Sequence, residues 1–264
     1  MKAAYGLTMV VAGLMLAQAA LGLAFRDYYL DVDWIEATWL GNDWVTLAVA
    51  LPLLVGGLAW ARRGSIRATL LWLGVLGYAL YNYAYYLFGA ALNVFFPLYL
   101  SAVIAAALAL ILAASSVSPR DLACSFSDKT PVRVIGGYFV FVGVALACVW
   151  LTLWAAHVFA GHPTPVEPEA FKIVAALDTV LMVPALAIGG ILLTQRNAWG
   201  YVISAAAGVQ ASLYLIVLST NSIVVVVRGL ASPPGEIPLW VSLAGATSAA
   251  TLLLLSHAGR RVEV

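Results

Sequence analysis

The chain has 264 residues, of which 64% are hydrophobic and only 9% are charged, and its mean hydropathy is +0.99. A soluble globular domain cannot bury that much apolar side chain. The formal net charge of +1, with no basic patch, argues against a nucleic-acid partner.

Apolar runs of about 20 residues, the length that crosses a hydrocarbon core, recur along the whole chain. The gaps between them lack the alternating polarity of barrel strands, so the spans are expected to be helices. We therefore predict an all-α, polytopic transmembrane helix bundle that forms a single integral membrane domain over residues 1–264. The eight predicted spans cover residues 4–25, 43–61, 67–91, 96–115, 133–157, 172–194, 199–221 and 238–257.

Positive charges collect in alternate gaps between these spans. With the N-terminus in the cytoplasm, ten of the 13 basic residues fall in cytoplasmic segments, and only Arg26, Lys172 and Arg228 fall outside. The positive-inside rule then predicts that both termini are cytoplasmic. The predicted cytoplasmic set is Lys2, Arg62, Arg63, Arg67, Arg120, Lys129, Arg133, Arg196, Arg260 and Arg261.

The segment from Arg26 to Asp43 is predicted to lie outside, before the second span. Asp31, Asp33 and Glu36 could converge on a hard cation, which prefers oxygen ligands. The segment lacks the glycine turn and ordered spacing of a calcium loop, and its several Tyr and Trp residues suit a helix lying along the headgroups. We favour that interfacial helix and predict no metal site.

The third span carries polar and aromatic residues at helical spacing, including Tyr78, Asn82 and Tyr85. One interpretation is that Asn82 hydrogen-bonds a neighbouring helix while the tyrosines form an interfacial belt. The other is that this face lines a cavity, opposite a face of the seventh span.

Asp178 is the only acidic residue that we predict inside a span and not at its end. An ionisable group at that depth costs roughly 2.5 to 3.5 kcal/mol on insertion scales and usually faces a partner or a cavity. It could also be protonated and bonded to a neighbouring helix, or lie close to the outer interface. The predicted ligand-binding residues are Asp178, Asn82, Tyr81, Gln210 and Tyr214.

When the sequence of residues 133–264 is aligned with that of residues 1–132, several similar residues coincide. Thr46 falls on Thr179 and Arg63 on Arg196, while Gly-Gly pairs and span-interior prolines recur near matching positions. The shift predicts a 4+4 parallel internal repeat, as in transporters with duplicated halves. Chance recurrence in such a biased composition is the alternative.

Two stretches carry a resemblance to a known family. Residues Asn42 to Leu100 include NDWVTLAVALPLL, then ARRGS and YNYAYYLFGAALNVFFPLYL, and residues Asp178 to Tyr201 end in QRNAWGY. They resemble a family of uncharacterised bacterial multi-pass membrane proteins with no established activity. The resemblance implies a bacterial-type inner (plasma) membrane and carries no catalytic residue.

The chain has no HExxH, GxSxG, P-loop or GxGxxG motif, so no catalytic residue and no cofactor are predicted, and an enzyme is disfavoured. We predict a transporter-like or channel-like protein for a small polar or cationic solute. The alternative is a non-catalytic accessory subunit, assembly factor or sensor. The expected partners are the lipid bilayer, a small solute or cation and, for the alternative, a protein partner or a second copy of the chain.

Overall fold

The computed structural model describes residues 1–259, so the predicted cytoplasmic residues Arg260 and Arg261 lie outside the described part. Within residues 1–259 helices are the only regular secondary structure, and one isolated bridge joins Phe126 to Ala258. The long helices are α1 Lys2–Ala24, α2 Asp33–Ala61, α3 Ile66–Gly89, α4 Phe96–Ser115, α5 Val132–Ala160, α6 Pro168–Thr194, α7 Ala198–Val227 and α8 Ile237–Ser256.

Seven helices of the described chain, all of these except α3, are long and apolar enough to cross a membrane. The protein is therefore a multi-pass membrane protein. The α3 helix is equally long, at 24 residues, but its tyrosines and Asn82 make it less apolar. Fifteen of its residues are buried, so these polar groups face other helices rather than lipid.

The helices form two groups joined in the centre of the bundle. The first group is α1 to α4 and the second is α5 to α8. The α7 helix packs against both α2 and α3, which makes α3 and α7 the central pair. Gly74 permits their close approach, because a Cβ at this position would lie 2.5 Å from the Val209 side chain.

Polar contacts tie the helix ends together at both ends of the bundle. At one end, Arg67 donates to the carbonyl oxygens of Ser256 and Ala258 at 2.8 and 2.6 Å, which satisfies carbonyls at the end of α8. At the other end, Arg228 and Glu36 form an ion pair at 3.1 Å between α7 and α2.

The beginning of α2 differs from the sequence prediction. The helix starts at Asp33, about ten residues earlier than predicted, so Asp43 lies inside a membrane helix and not in an outer loop. The prediction of an interfacial helix up to Asp43 is wrong for the same reason. Asp33 and Glu36 occupy the first turn, where negative charge suits the helix dipole. The acidic residues therefore mark a helix start and not a loop.

The helices α2 and α6 each contain a five-residue π-helical segment, Thr46–Ala50 in α2 and Asp178–Met182 in α6. Each segment is followed within two residues by a proline, Pro52 or Pro184. Proline has no N–H and its ring clashes with the carbonyl one turn earlier, and a widened turn relieves both problems. The two helices thus continue through their prolines without ending.

Candidate functional site

The Asp178 carboxyl lies where four helices meet. Asp178 is the first residue of the π segment in α6 and is 0% exposed. Its Oδ1 accepts a hydrogen bond from the Tyr81 hydroxyl of α3 at 2.6 Å. Its Oδ2 accepts from Trp150 Nε1 of α5 at 2.9 Å and from the Tyr214 hydroxyl of α7 at 3.3 Å. We call these four residues the Asp178 centre.

All the donors in the Asp178 centre are uncharged. Within residues 1–259, no Lys, Arg or His side chain forms an ion pair or hydrogen bond with Asp178. Two phenols and one indole stabilise a carboxylate through hydrogen bonds, but they leave its negative charge without a counter-charge. The arrangement can therefore hold a proton or a small cation at the carboxyl.

Aromatic rings close the surroundings of this carboxyl. The rings of Tyr81 and Tyr214 meet edge to face with centroids 5.1 Å apart, and those of Trp150 and Phe171 do so at 5.3 Å. Two pockets of the described chain lie at the bundle ends, lined by residues 130–134 with 194–196 and by residues 23–28, and Asp178 lines neither of them. Because the Asp178 side chain is 0% exposed, this conformation keeps the carboxyl closed.

The structure brings some of the predicted site residues together and separates others. Tyr81 and Tyr214 contact Asp178 directly. In the described chain, Asn82 and Gln210 make no hydrogen bond to Asp178, although they belong to the same two helices. The Gln210 Oε1 atom lies against Gly77, 2.8 Å from where a Cβ would be. Their role as ligand-binding residues stays a prediction.

Sequence reasoning missed Trp150 in the Asp178 centre. A signal was present, because Trp favours the ends of spans and Trp150 lies well inside the 29-residue helix α5. A tryptophan at such a depth needs an acceptor for its indole N–H.

A second buried carboxyl, that of Asp43, lies in α2 three residues before the other π segment. Asp43 is also 0% exposed. Its Oδ1 accepts from Gln18 Nε2 at 3.1 Å and from the Tyr86 hydroxyl at 2.8 Å, and its Oδ2 accepts from the Tyr29 hydroxyl at 2.7 Å. The Tyr83 hydroxyl extends the network by donating to Gln18 Oε1 at 3.2 Å. We call these five residues the Asp43 centre.

Tyr29 closes the Asp43 centre from the turn between α1 and α2. Burial and, after it, the charge of Asp43 raise the pKa of Tyr29 well above its usual range. Its hydroxyl therefore keeps its proton and remains a donor to the carboxyl. Gly22 of α1 leaves room for this contact, since a Cβ there would lie 2.3 Å from both Asp43 Oδ2 and the Tyr29 hydroxyl.

The carboxylates for which the sequence predicted an outer position do not converge. Asp31 accepts from Trp39 Nε1 and from the Ala91 backbone N–H, each at 2.9 Å. Glu36 is held by Arg228, as described above. Within residues 1–259, no group of three or more His, Cys, Asp or Glu side chains could hold a metal ion. These acidic residues therefore fix the ends of α2, α3 and α7.

Comparison of the chain with protein-family models, with curated proteins and with solved structures finds no match.

Proposed function

We propose that the protein is a membrane transporter for a small polar or cationic solute, with the Asp178 carboxyl as the site at which a proton or a small cation binds. One observation carries the proposal: this carboxyl is fully buried in a membrane helix, is bonded only to uncharged donors and, unlike that of Asp43, belongs to a π segment itself. A charge at this depth is expensive, and an ionisable group that is kept there usually serves a function. A bound proton or cation would neutralise it.

The position of Asp178 supports a coupling between binding and movement. Its donors come from α3, α5 and α7, while the carboxyl belongs to α6. A shift of α6 against these helices changes the number of donors that reach the carboxyl, and so changes its affinity for a proton or cation. The π segment and Pro184 give α6 a turn with irregular hydrogen bonding at this place.

For the wider architecture of this transporter we propose what the sequence predicts. The α3 helix crosses the membrane as the eighth span, and both termini face the cytoplasm of a bacterial-type cell. The groups α1 to α4 and α5 to α8 are parallel repeats, which agrees with the π segment, proline and Gly-Gly pair that α2 and α6 each carry. The central helices α3 and α7 occupy equivalent places in the two repeats.

A second candidate function is a non-transporting accessory subunit, assembly factor or sensor. The closed packing of the Asp178 centre favours it, because the carboxyl is 0% exposed and the rings of Tyr81 and Tyr214 meet beside it. In that role the buried hydrogen bonds would hold the bundle together and no solute would enter.

Thermal unfolding of the purified protein separates the two functions. Wild type, Asp178→Asn and the control Asp43→Asn would be compared across pH and a panel of monovalent cations and small polar solutes. We expect a ligand that stabilises wild type and Asp43→Asn but not Asp178→Asn. At a hundredfold excess over Kd the expected stabilisation is about 2.7 kcal/mol.

Uptake into vesicles then tests transport itself. Solute uptake driven by an imposed pH or cation gradient should be lost in Asp178→Asn and retained in Asp43→Asn. Binding and uptake by Asp178→Asn at the wild-type level would refute the role of this carboxyl. No stabilisation by any ligand, together with equal pH dependence of wild type and Asp178→Asn, would favour the accessory role.

A further inference from the structure

Polar side chains without hydrogen-bond partners collect where α2, α3 and α7 pack against one another. Each of these side chains is more than nine-tenths buried and has at least one polar atom with no partner in the described chain. They are Asn42 and Thr46 of α2, Tyr78 and Asn82 of α3, and Asn221 of α7. We call these five residues the polar junction.

The α3 helix aims its part of the polar junction into the groove between α2 and α7. On one side of α3, Tyr81 meets Tyr214 of α7, and on the other side Tyr86 bonds Asp43 of α2. At about 100° per residue, Tyr78 and Asn82 lie between these two directions. Their side chains thus face the groove.

Contacts on α2 and α7 place the other members in the same groove. The Tyr78 hydroxyl lies beside the Thr46 side chain, but without the geometry of a hydrogen bond. Asn42 is one turn before Thr46 on the same face of α2. Asn221 lies against Gly41, where a Cβ would come within 2.1 Å of its Oδ1 atom.

The polar junction destabilises the folded protein unless its side chains find hydrogen-bond partners. A buried amide or hydroxyl without a partner costs roughly 1 to 3 kcal/mol in proteins, and lipid offers no partner. Asparagines that hold helices together hydrogen-bond across the interface, yet the Nδ2 atoms of Asn42 and Asn82 have no partner within residues 1–259. Helix adhesion therefore does not explain these amides.

We propose that the polar junction binds a small uncharged molecule that carries both hydrogen-bond donors and acceptors, either water or a solute with hydroxyl or amide groups. The unpartnered atoms include amide donors on Asn42 and Asn82, amide oxygens on Asn42 and Asn221, and two hydroxyls. None of the five side chains is charged, and the oxygens of the neighbouring Asp43 carboxyl already accept hydrogen bonds from Gln18, Tyr29 and Tyr86. The junction is therefore better suited to an uncharged solute than to an ionic one. This inference gives the proposed transporter its substrate class and in that respect rests on the proposed function.

Cysteine modification tests whether such a molecule can enter. The native cysteines, both exposed, would be replaced as Cys124→Ser and Cys148→Ala, and Thr46→Cys and Asn82→Cys introduced singly. The matched control is Ala84→Cys, 5% exposed and two residues after Asn82, hence on the far side of α3. The probes are three methanethiosulfonates with hydroxyethyl (neutral), trimethylammonioethyl (cationic) and sulfonatoethyl (anionic) groups.

Reaction rates would be divided by those of a variant that keeps only the exposed Cys124. We expect the neutral probe to modify Thr46→Cys and Asn82→Cys at least tenfold faster than Ala84→Cys, and at least tenfold faster than either charged probe does. Unfolding temperatures close to that of the cysteine-free background show that each variant is folded. Thr46→Cys, which removes only a methyl group and exchanges the hydroxyl for a thiol, keeps the test valid if Asn82→Cys does not fold.

The outcomes that overturn the inference are equally clear. Folded variants that react no faster than Ala84→Cys would mean that the junction is dry, and preferential reaction with a charged probe would mean a different ligand class. A high concentration of glycerol or acetamide distinguishes the two sources, since protection indicates a solute and undiminished reaction indicates water. The experiment measures access and not transport, so its failure is distinct from failure of the proposed function, which would appear as uptake retained in Asp178→Asn.

Discussion

Gly22 sets how closely α1 approaches the Asp43 centre. A Cβ at this position would overlap Asp43 Oδ2 and the Tyr29 hydroxyl, both at 2.3 Å. Gly22→Ala must therefore push apart two groups that are hydrogen-bonded to each other. We expect it to lower the free energy of unfolding by about 1 to 3 kcal/mol, measured by thermal unfolding in detergent.

Gly13→Ala is the matched control on the same helix. No atom lies within 4 Å of a Cβ at Gly13, so this substitution meets no obstacle. Alanine should even stabilise α1 there, by about 0.5 to 1 kcal/mol. Equal stability of the two variants would show that the Asp43 centre does not depend on the close approach of α1.

Asp178 and Asp43 show which part of the buried sites could be predicted from the sequence and which part could not. Asp178 stands alone in an apolar run, so its burial is visible from hydropathy, and the aromatic and polar character of the third and seventh spans allowed Tyr81 and Tyr214 to be predicted near it. Asp43 follows Asp31, Asp33 and Glu36, and this acidic stretch has the composition of an exposed loop. Its burial depends on partners such as Gln18 and Tyr86, which are far away in the chain, and no local pattern indicates them.

The π segment of α6 is equivalent to a regular α-helix into which one extra residue has been inserted. Val180, which is 69% exposed, lies in this segment, and deleting it lets the five-residue turn become α-helical without rotating the residues on either side. We expect the deletion variant to fold with an unfolding temperature at or above that of wild type. If the irregular turn is needed for movement of α6, solute uptake should fall at least tenfold.

Deletion of Ile188 is the control for this experiment. Ile188 is 52% exposed but lies in the regular part of α6. Its removal rotates the two parts of the helix by about 100° against each other. The Gly189-Gly190 pair then leaves its contacts with α5 and α7, so we expect loss of folded protein. Equal loss of folding in the Val180 deletion would show that the π segment holds no spare residue.

The number of membrane crossings decides the side on which Cys124 lies. Cys124 lies in the connection between α4 and α5. If α3 crosses, four crossings precede Cys124, so with the N-terminus inside Cys124 is cytoplasmic. In a Cys148→Ala background, an impermeant maleimide should label Cys124 only after cells are permeabilised. Ser232→Cys, in the exposed loop between α7 and α8, should be labelled in intact cells when Cys124 is also replaced by serine.

Seven crossings give the opposite pattern. If α3 does not cross, Cys124 lies outside and position 232 lies inside. A reversal of both labelling results would therefore remove α3 from the set of spans or turn the whole molecule over. The position of the N-terminus, probed with a fused epitope, distinguishes these two explanations.

The order of synthesis places a constraint on α3. A helix with five tyrosines and an asparagine enters lipid less readily than its neighbours. The acceptor for the Tyr81 hydroxyl is Asp178, which leaves the ribosome 97 residues later. If α3 crosses the membrane as we propose, we expect α2 and α4 or an insertion factor to shelter it during that interval, until the second group of helices arrives. Truncation before residue 168 should leave α3 partly outside the membrane, as measured by carbonate extraction and protease protection. In that case the polar residues at the centre of the bundle make membrane insertion of the first half dependent on synthesis of the second half.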